Sequence, residues 1–329
     1  MLERFEILKN KRKFKGIKLA KGLNLKHYSF QPRKRGYLGI SSGSYGKKWF
    51  MLPKGRAIFK TYDSYKDFDV IRKQRIINER LCYILAKQVG LPCAEYEPAN
   101  IDGINGLVSY DVTSENEKIM TLAEWQFENY WITSISDTIN AIHRAQDMGY
   151  KIDEKKFVFD MLKMVVFDTL TMQSDRHNDN IHVIYNKKTN TIKISPLIDN
   201  EMAFCAKTLF LSYDGKITDE TLFFDTYSER ALYFTIYDER SAGINKFQNN
   251  VKEIAKLAAK NEKFKNLVES YINNMDIKTA IKQVEEDGYI IHSKYKQYIC
   301  KVHDYAKQML MEKLNTVKKE DTGEVYLEF

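Results

Sequence analysis

Between Gln173 and Asn200 the chain reads QSDRHNDNIHVIYNKKTNTIKISPLIDN. Asp, Arg, His, Asn, Asp and Asn fill the consecutive positions Asp175 to Asn180. Polar clusters ordinarily mark solvated surface loops. This one is wedged between an apolar helix and a hairpin. Upstream, Phe157, Phe159, Leu162, Val165, Val166, Phe167 and Leu170 lie nearly all round a helix predicted over 154–172, the pattern of a helix buried in a core. Downstream, IHVIY and TIKISPLID read as two strands joined by NKKTN and ending on Asp199.

Working outward, residues 36–112 read as a small, mostly antiparallel sheet carrying one helix. WFML, a turn at LPKGR and the β-prone AIFKTY precede a helix predicted over 66–89, which Gly90-Leu91-Pro92 stops. Two short strands then flank the NIDGING turn between Ala94 and Val112. From Thr121 the pattern turns helical, with helices predicted over 134–146 and 154–172 and amphipathic helices over 246–317. The predicted fold class is therefore α+β, with a small β-rich lobe, a larger helical lobe and the polar loop at their junction, where a ligand fits between the two. The expected division is an arm at 1–35, a nucleotide-binding lobe at 36–115 and a helical lobe at 116–329, with the loop at 173–180 and a second functional segment at 194–201.

Composition sets limits on this reading. Over 329 residues the hydrophobic fraction is 43% and there are only five prolines, which fits a folded chain without long linkers. The four cysteines, Cys82, Cys93, Cys205 and Cys300, are scattered without metal-ligand spacing and read as free thiols in a reducing compartment. Their pattern, with no visible signal peptide and no long apolar run, leads to the expectation of a cytoplasmic protein. Delivery into another cell as an effector stays open. Of the net charge of +8, residues 1–35 carry +10 and the remainder −2. The basic arm suits an anionic partner: an acidic protein, nucleic acid or a membrane surface.

The loop has a chemical reading. Phosphoryl transfer asks little covalent work of a protein. It needs a carboxylate to orient the attacking hydroxyl, hard oxygen ligands for magnesium and a cation on the nucleotide phosphates. Asp175, Asn180 and Asp199, in that order, supply a base, an amide ligand and a carboxylate ligand.

DRHNDNI resembles the D-R-H-x-x-N catalytic loop of phosphoinositide kinases. The wider frame, FDTLTMQSDRHNDNIHVIY followed by IKISPLIDN, is more similar to the HipA-like and CtkA-like bacterial serine/threonine kinases. The resemblance runs from Gly36 to Asp199 and is concentrated in 157–201. It implies a two-lobed kinase fold using ATP and magnesium. Asp175 matches the catalytic aspartate, with Arg176 and His177 supporting the loop. Asn180 and Asp199 match the metal ligands. Lys60, in AIFKTY, falls at the strand lysine that holds the nucleotide phosphates, and Glu79 is its expected partner. Ser42, Gly43 and Ser44 fall in the phosphate-covering turn, where serines are also candidates for autophosphorylation. Ser109 and Tyr110 lie in the segment joining the lobes, beside adenine. Asn200-Glu201 replaces the Phe-Gly of eukaryotic protein kinases, so no Phe-flip switch is expected. The preferred acceptor is Ser or Thr on a protein. Two alternatives stand beside it: a phosphoinositide kinase, and a non-catalytic nucleotide-binding or toxin-neutralising module.

Overall fold

The computed structural model describes residues 30–31, 48–60, 75–101, 104–125, 134–205 and 246–317. The predicted phosphate-covering turn with Ser42, Gly43 and Ser44, nearly all of the basic arm and the aromatic stretch 222–237 lie outside the described residues. The architecture is α+β, as expected, with two small antiparallel sheets and a mainly helical remainder.

In the small lobe, strands β1 (Phe30–Gln31), β2 (Lys48–Leu52), β3 (Gly55–Lys60), β4 (Tyr96–Ile101) and β5 (Ile104–Tyr110) form one sheet in the order β1-β2-β3-β5-β4. Helix α1 (Arg75–Gln88) lies between β3 and β4 in the chain. Register decides which way each side chain faces. Phe59 pairs with Val108 and Ala57 with Tyr110, and these four close a small core with Leu52 and Ala99. The alternate positions, Lys60 opposite Leu107 and Ile58 opposite Ser109, take the other face, where Leu107 joins the large core that includes α1. Gly90, at φ 66°, ends α1 in a Schellman turn, with Leu91 N–H donating to Ala86 O at 2.9 Å.

Gly106 marks a close approach of backbones. A Cβ there would lie 2.2 Å from Lys60 O and 2.6 Å from the Phe59 ring. Gly106→Ala therefore has to displace the end of β3 that carries Lys60. The expected cost is on the order of 1–3 kcal/mol, read as a lower urea midpoint at unchanged m-value. An unchanged midpoint would show that the strand end yields freely.

The large lobe is built on α2 (Ile135–Asp147) and α3 (Glu154–Leu170), followed by α4 (Lys246–Lys260), α5 (Glu262–Asn274), α6 (Ile277–Glu286) and α7 (Ser293–Thr316). Ser134 caps α2 and Asp153 caps α3, each accepting a backbone N–H three residues on. Helix α3 is buried along nearly all its length, as its all-round apolar pattern requires.

A second sheet, β6-β7-β8, joins β6 (Glu117–Thr121), β7 (His182–Asn186) and β8 (Thr191–Ile194). The hairpin of β7 and β8 was legible in the sequence. Strand β6 was not, because EKIMT buries only Ile119 and Thr121 and offers too short an alternation. One continuous core runs from Ile76 on α1 to Leu310 on α7. The lobes also meet through main chain: Ala94 N–H donates to Leu197 O at 2.8 Å, and Leu197 N–H to Pro92 O at 2.9 Å. This bridge seats the Pro196–Asp199 segment against the small lobe. Among the described residues no helix is long and apolar enough to cross a membrane.

Candidate active site

Four elements converge at the lobe junction. Strand β3 ends on Lys60, α1 contributes Glu79, the turn after α3 contributes Asp175 to Asn180, and the segment after β8 contributes Asp199. Lys60 Nζ lies 2.6 Å from Glu79 Oε1 and 3.2 Å from Asp199 Oδ1. Glu79 has no solvent exposure, and its second oxygen accepts the Asn200 N–H at 2.8 Å. A carboxylate so buried is tolerated only because it is paired and hydrogen-bonded. Burial works to lower the Lys60 pKa, but the Asp199 and Glu79 carboxylates outweigh it and hold the ammonium well above its ordinary value. The side chain is a fixed cation.

The loop itself is folded around Asn180. The Asn180 amide nitrogen donates to Asp175 O at 2.8 Å and lies 3.3 Å from Asp175 Oδ2. His177 Nε2 is 3.3 Å from that nitrogen and 3.8 Å from Asp175 Oδ1. Asp175 and His177 keep partly exposed side chains, and Asp179, at 63% exposure, lies with Oδ2 3.6 Å from His177 Nδ1. Gln173 Oε1 accepts the Asp175 N–H at 3.2 Å, and Ser174 donates both N–H and Oγ–H to Met202 O.

Arg176 turns inward. It is 1% exposed and grips Asp168 of α3 with two bonds, Nε to Oδ2 at 2.9 Å and Nη2 to Oδ1 at 3.2 Å. Its remaining donors reach Asn180 O and Ile198 O, both at 3.0 Å, and Asn200 Oδ1 at 2.6 Å. One guanidinium thus fastens the loop of Asp175 and Asn180 to the segment of Asp199, using a five-donor fork that a lysine cannot reproduce. Arg176 supports the site from below and does not face the cleft.

Ser109 shares the Lys60 face of the small sheet, and Tyr110 the opposite face, where its hydroxyl donates to Glu97 Oε2 at 3.0 Å. The N–H groups of Tyr110 and Asp111 are spent within the small lobe, on Glu95 O and Arg56 O.

Backbone conformation is unusual around the loop. Met172, Asp199, Phe204 and Cys205 have φ of 42°, 61°, 58° and 51°. Non-glycine residues hold the left-handed region at a cost, and such residues cluster where surrounding contacts over-determine them. Here Asp199 N–H donates to the Tyr96 hydroxyl at 3.3 Å, and Phe204 and Cys205 donate to Thr171 O and Met172 O.

Glu79, Asp199 and Glu201 bring ligand atoms within 4.8 Å of one another, a hard oxygen set of the kind a magnesium ion takes. Glu79 already holds Lys60, and Glu201 is paired with Arg75. Sequence reasoning passed over Asp168 and Asn78, and read Asn200 and Glu201 only as the pair that replaces Phe-Gly within the segment 194–201. Asp168 had a signal: an acid at a buried position of an apolar helix demands a cation, and Arg176 lies two turns on.

Comparison with known proteins follows the same line. No protein-family model matches the chain, and no curated protein matches it in sequence. Solved structures do. The Helicobacter pylori proinflammatory kinase CtkA superposes with a TM-score of 0.64 at 14% identity, over 89% of this chain and 96% of that one. HipA of Shewanella oneidensis MR-1, from a toxin–antitoxin complex with HipB and operator DNA, gives a TM-score of 0.47 at 13% identity, over 88% of this chain and 70% of that one. The likeness to the first of these is one of fold: the chain has a CtkA-like kinase fold.

Proposed function

We propose that the chain is an ATP- and magnesium-dependent phosphotransferase whose acceptor is a Ser or Thr hydroxyl on a protein. The observation that carries this reading is the Lys60 ammonium held between Glu79 and Asp199, with Arg176 fastening the Asp175–Asn180 loop beside them. Lys60 binds the nucleotide phosphates, and Glu79 keeps it extended toward them. Asp175 orients the acceptor hydroxyl and takes its proton as the oxygen attacks the terminal phosphorus. His177, beside Asp175, completes the polar rim of the loop. Asn180 and Asp199 would hold magnesium, the two positions that match the metal ligands of the kinase loop, with Asp199 also facing Lys60 at 3.2 Å. Magnesium, when bound, neutralises charge on the transferring phosphoryl group. The basic arm is the contact for an anionic partner, and the serines of the turn at 41–44 are the first candidates for self-modification.

The phosphoinositide reading rests on the DRHNDN loop, which both kinase branches share, so the acceptor must be tested directly. The purified chain is incubated with radiolabelled ATP and magnesium in three arms: alone, with a generic basic protein, and with vesicles containing phosphatidylinositol. Label in protein, removed by Lys60→Met, is the expected result. Label confined to lipid would replace the protein acceptor with a lipid one. No label in any arm, with ATP still bound, would leave a nucleotide-binding module without turnover.

A further inference from the structure

The segment that follows Asp199 is tied down at every carbonyl from Glu201 to Phe204. Asn78 of α1, with no solvent exposure, donates its amide nitrogen to Glu201 O at 2.9 Å and to Ala203 O at 3.1 Å. Met202 O accepts from Ser174 N–H at 3.2 Å and Ser174 Oγ–H at 2.9 Å. Phe204 O accepts the Tyr298 hydroxyl at 2.9 Å. The Asn78 amide oxygen in turn accepts the Tyr295 hydroxyl at 2.6 Å, so the bridging amide is itself oriented by α7. Tyr295 and Tyr298 stack on each other with ring centroids 6.1 Å apart, presenting two hydroxyls from one rigid face.

The two ends of α6 hold α1 at other positions. Arg80 donates to Asp287 Oδ2 at 2.7 Å, just beyond α6, and to Tyr96 O at 2.5 Å. Gln88 and Asp276 exchange two hydrogen bonds at the α6 N-terminus. The Tyr289 hydroxyl, between α6 and α7, donates to Gly106 O at 2.8 Å in the small sheet. Asn78 adjoins Glu79, and Glu201 lies two residues past Asp199. The Asn78 tie therefore acts within two residues of both carboxylates at the Lys60 cation.

We propose that α7, acting through Tyr295 and Tyr298, is a positioning element for phosphoryl transfer: it holds the Asp199 segment and the Glu79-bearing helix in the competent arrangement as a consequence of folding. This rests on the kinase reading above. Left-handed backbone at Asp199, Phe204 and Cys205 is a conformation the local sequence would not choose unaided; Tyr96, Thr171 and Met172 hold the N–H groups of these residues, and the bonds from Asn78 and Tyr298 hold the carbonyls between Glu201 and Phe204. The site is then assembled without a flip of the metal segment or a swing of α1. Regulation has to act elsewhere, on substrate access or on ATP entry.

The test is the double variant Tyr295→Phe/Tyr298→Phe, which keeps both rings and removes only the two hydroxyls. Tyr271→Phe, a buried tyrosine on α5, serves as the control for a purely structural loss. The double variant is expected to exchange the Ala203, Phe204 and Cys205 amides at least about tenfold faster than wild type. Its kcat should fall about tenfold with KM for ATP within about twofold, and half-maximal activity should need several-fold more magnesium, with excess magnesium restoring part of the rate. The control should lower the melting temperature and move none of these. Unchanged exchange and unchanged magnesium dependence in the double variant overturn the proposal while wild-type transfer keeps the kinase reading. A wild type that transfers no phosphate removes the kinase reading and the positioning role together. Should the double variant fail to fold, Tyr295→Phe alone is measured in the same way and decides the matter by the same criteria.

Discussion

Asp175→Asn is expected to lower phosphoryl transfer by about 10²–10⁴-fold while leaving the fold within about 0.5 kcal/mol of wild type. The first figure follows from the role: a positioned base contributes typically about 10²–10⁴ in rate, and an amide of the same shape cannot accept the proton. The second follows from the surroundings. The Asp175 side chain is 22% exposed, and its neighbours include Asn180 and His177 of the same loop. Substitutions outside the core and outside buried networks stay near ±0.5 kcal/mol. Lys60→Met is a less clean test of chemistry. It leaves Glu79, with no solvent exposure, buried without its ammonium, so activity and stability fall together. Single-turnover transfer and a urea titration on the same preparation separate the two effects. Transfer by Asp175→Asn within about tenfold of wild type would remove Asp175 from the proton-accepting role.

How far the sequence led depended on the range over which a residue acts. Residue type and spacing singled out Asp175, Asn180 and Asp199, the family resemblance added Lys60 and Glu79, and the structure gathers Glu79 and Asp199 around the Lys60 cation. Helices α2 and α3 were legible because caps and apolar periodicity are local. Asn78 was not. It sits in an unremarkable RIINERL, and its importance comes from Tyr295 and Glu201, far along the chain. Arg176 was read as a loop residue supporting the site, but its burial and its grip on Asp168 needed the fold. Nor did α7 show any sign of site contact, since tyrosines on an amphipathic helix read simply as core. The turn expected at Ser42, Gly43 and Ser44 lies outside the described residues.

The largest expected loss of stability belongs to Arg176→Met. Asp168 is 3% exposed inside the core, and burial pushes its carboxyl above the ordinary range against the pull of the Arg176 guanidinium. Removing one partner of such a pair costs about 3–5 kcal/mol, because the other charge stays buried without compensation. Three further acceptors, Asn180 O, Ile198 O and Asn200 Oδ1, lose their guanidinium donor at the same time. Against a total stability of about 5–15 kcal/mol, the variant sits close to unfolding. Arg176→Lys should fall between, since a point-charge ammonium cannot span Asp168 and three other acceptors at once. The informative variant is the double one, Asp168→Leu/Arg176→Met. With both charges gone the buried-charge penalty disappears, and most of the lost stability should return. Activity should not return with it, because the guanidinium bridge from the Asp175–Asn180 loop to the Ile198–Asn200 segment is lost. Urea midpoints for the three variants, read beside transfer rates, test both halves. Arg176→Met within about 1 kcal/mol of wild type would show that the loop is held by other contacts. Recovered transfer in the double variant would show that Arg176 serves the fold alone.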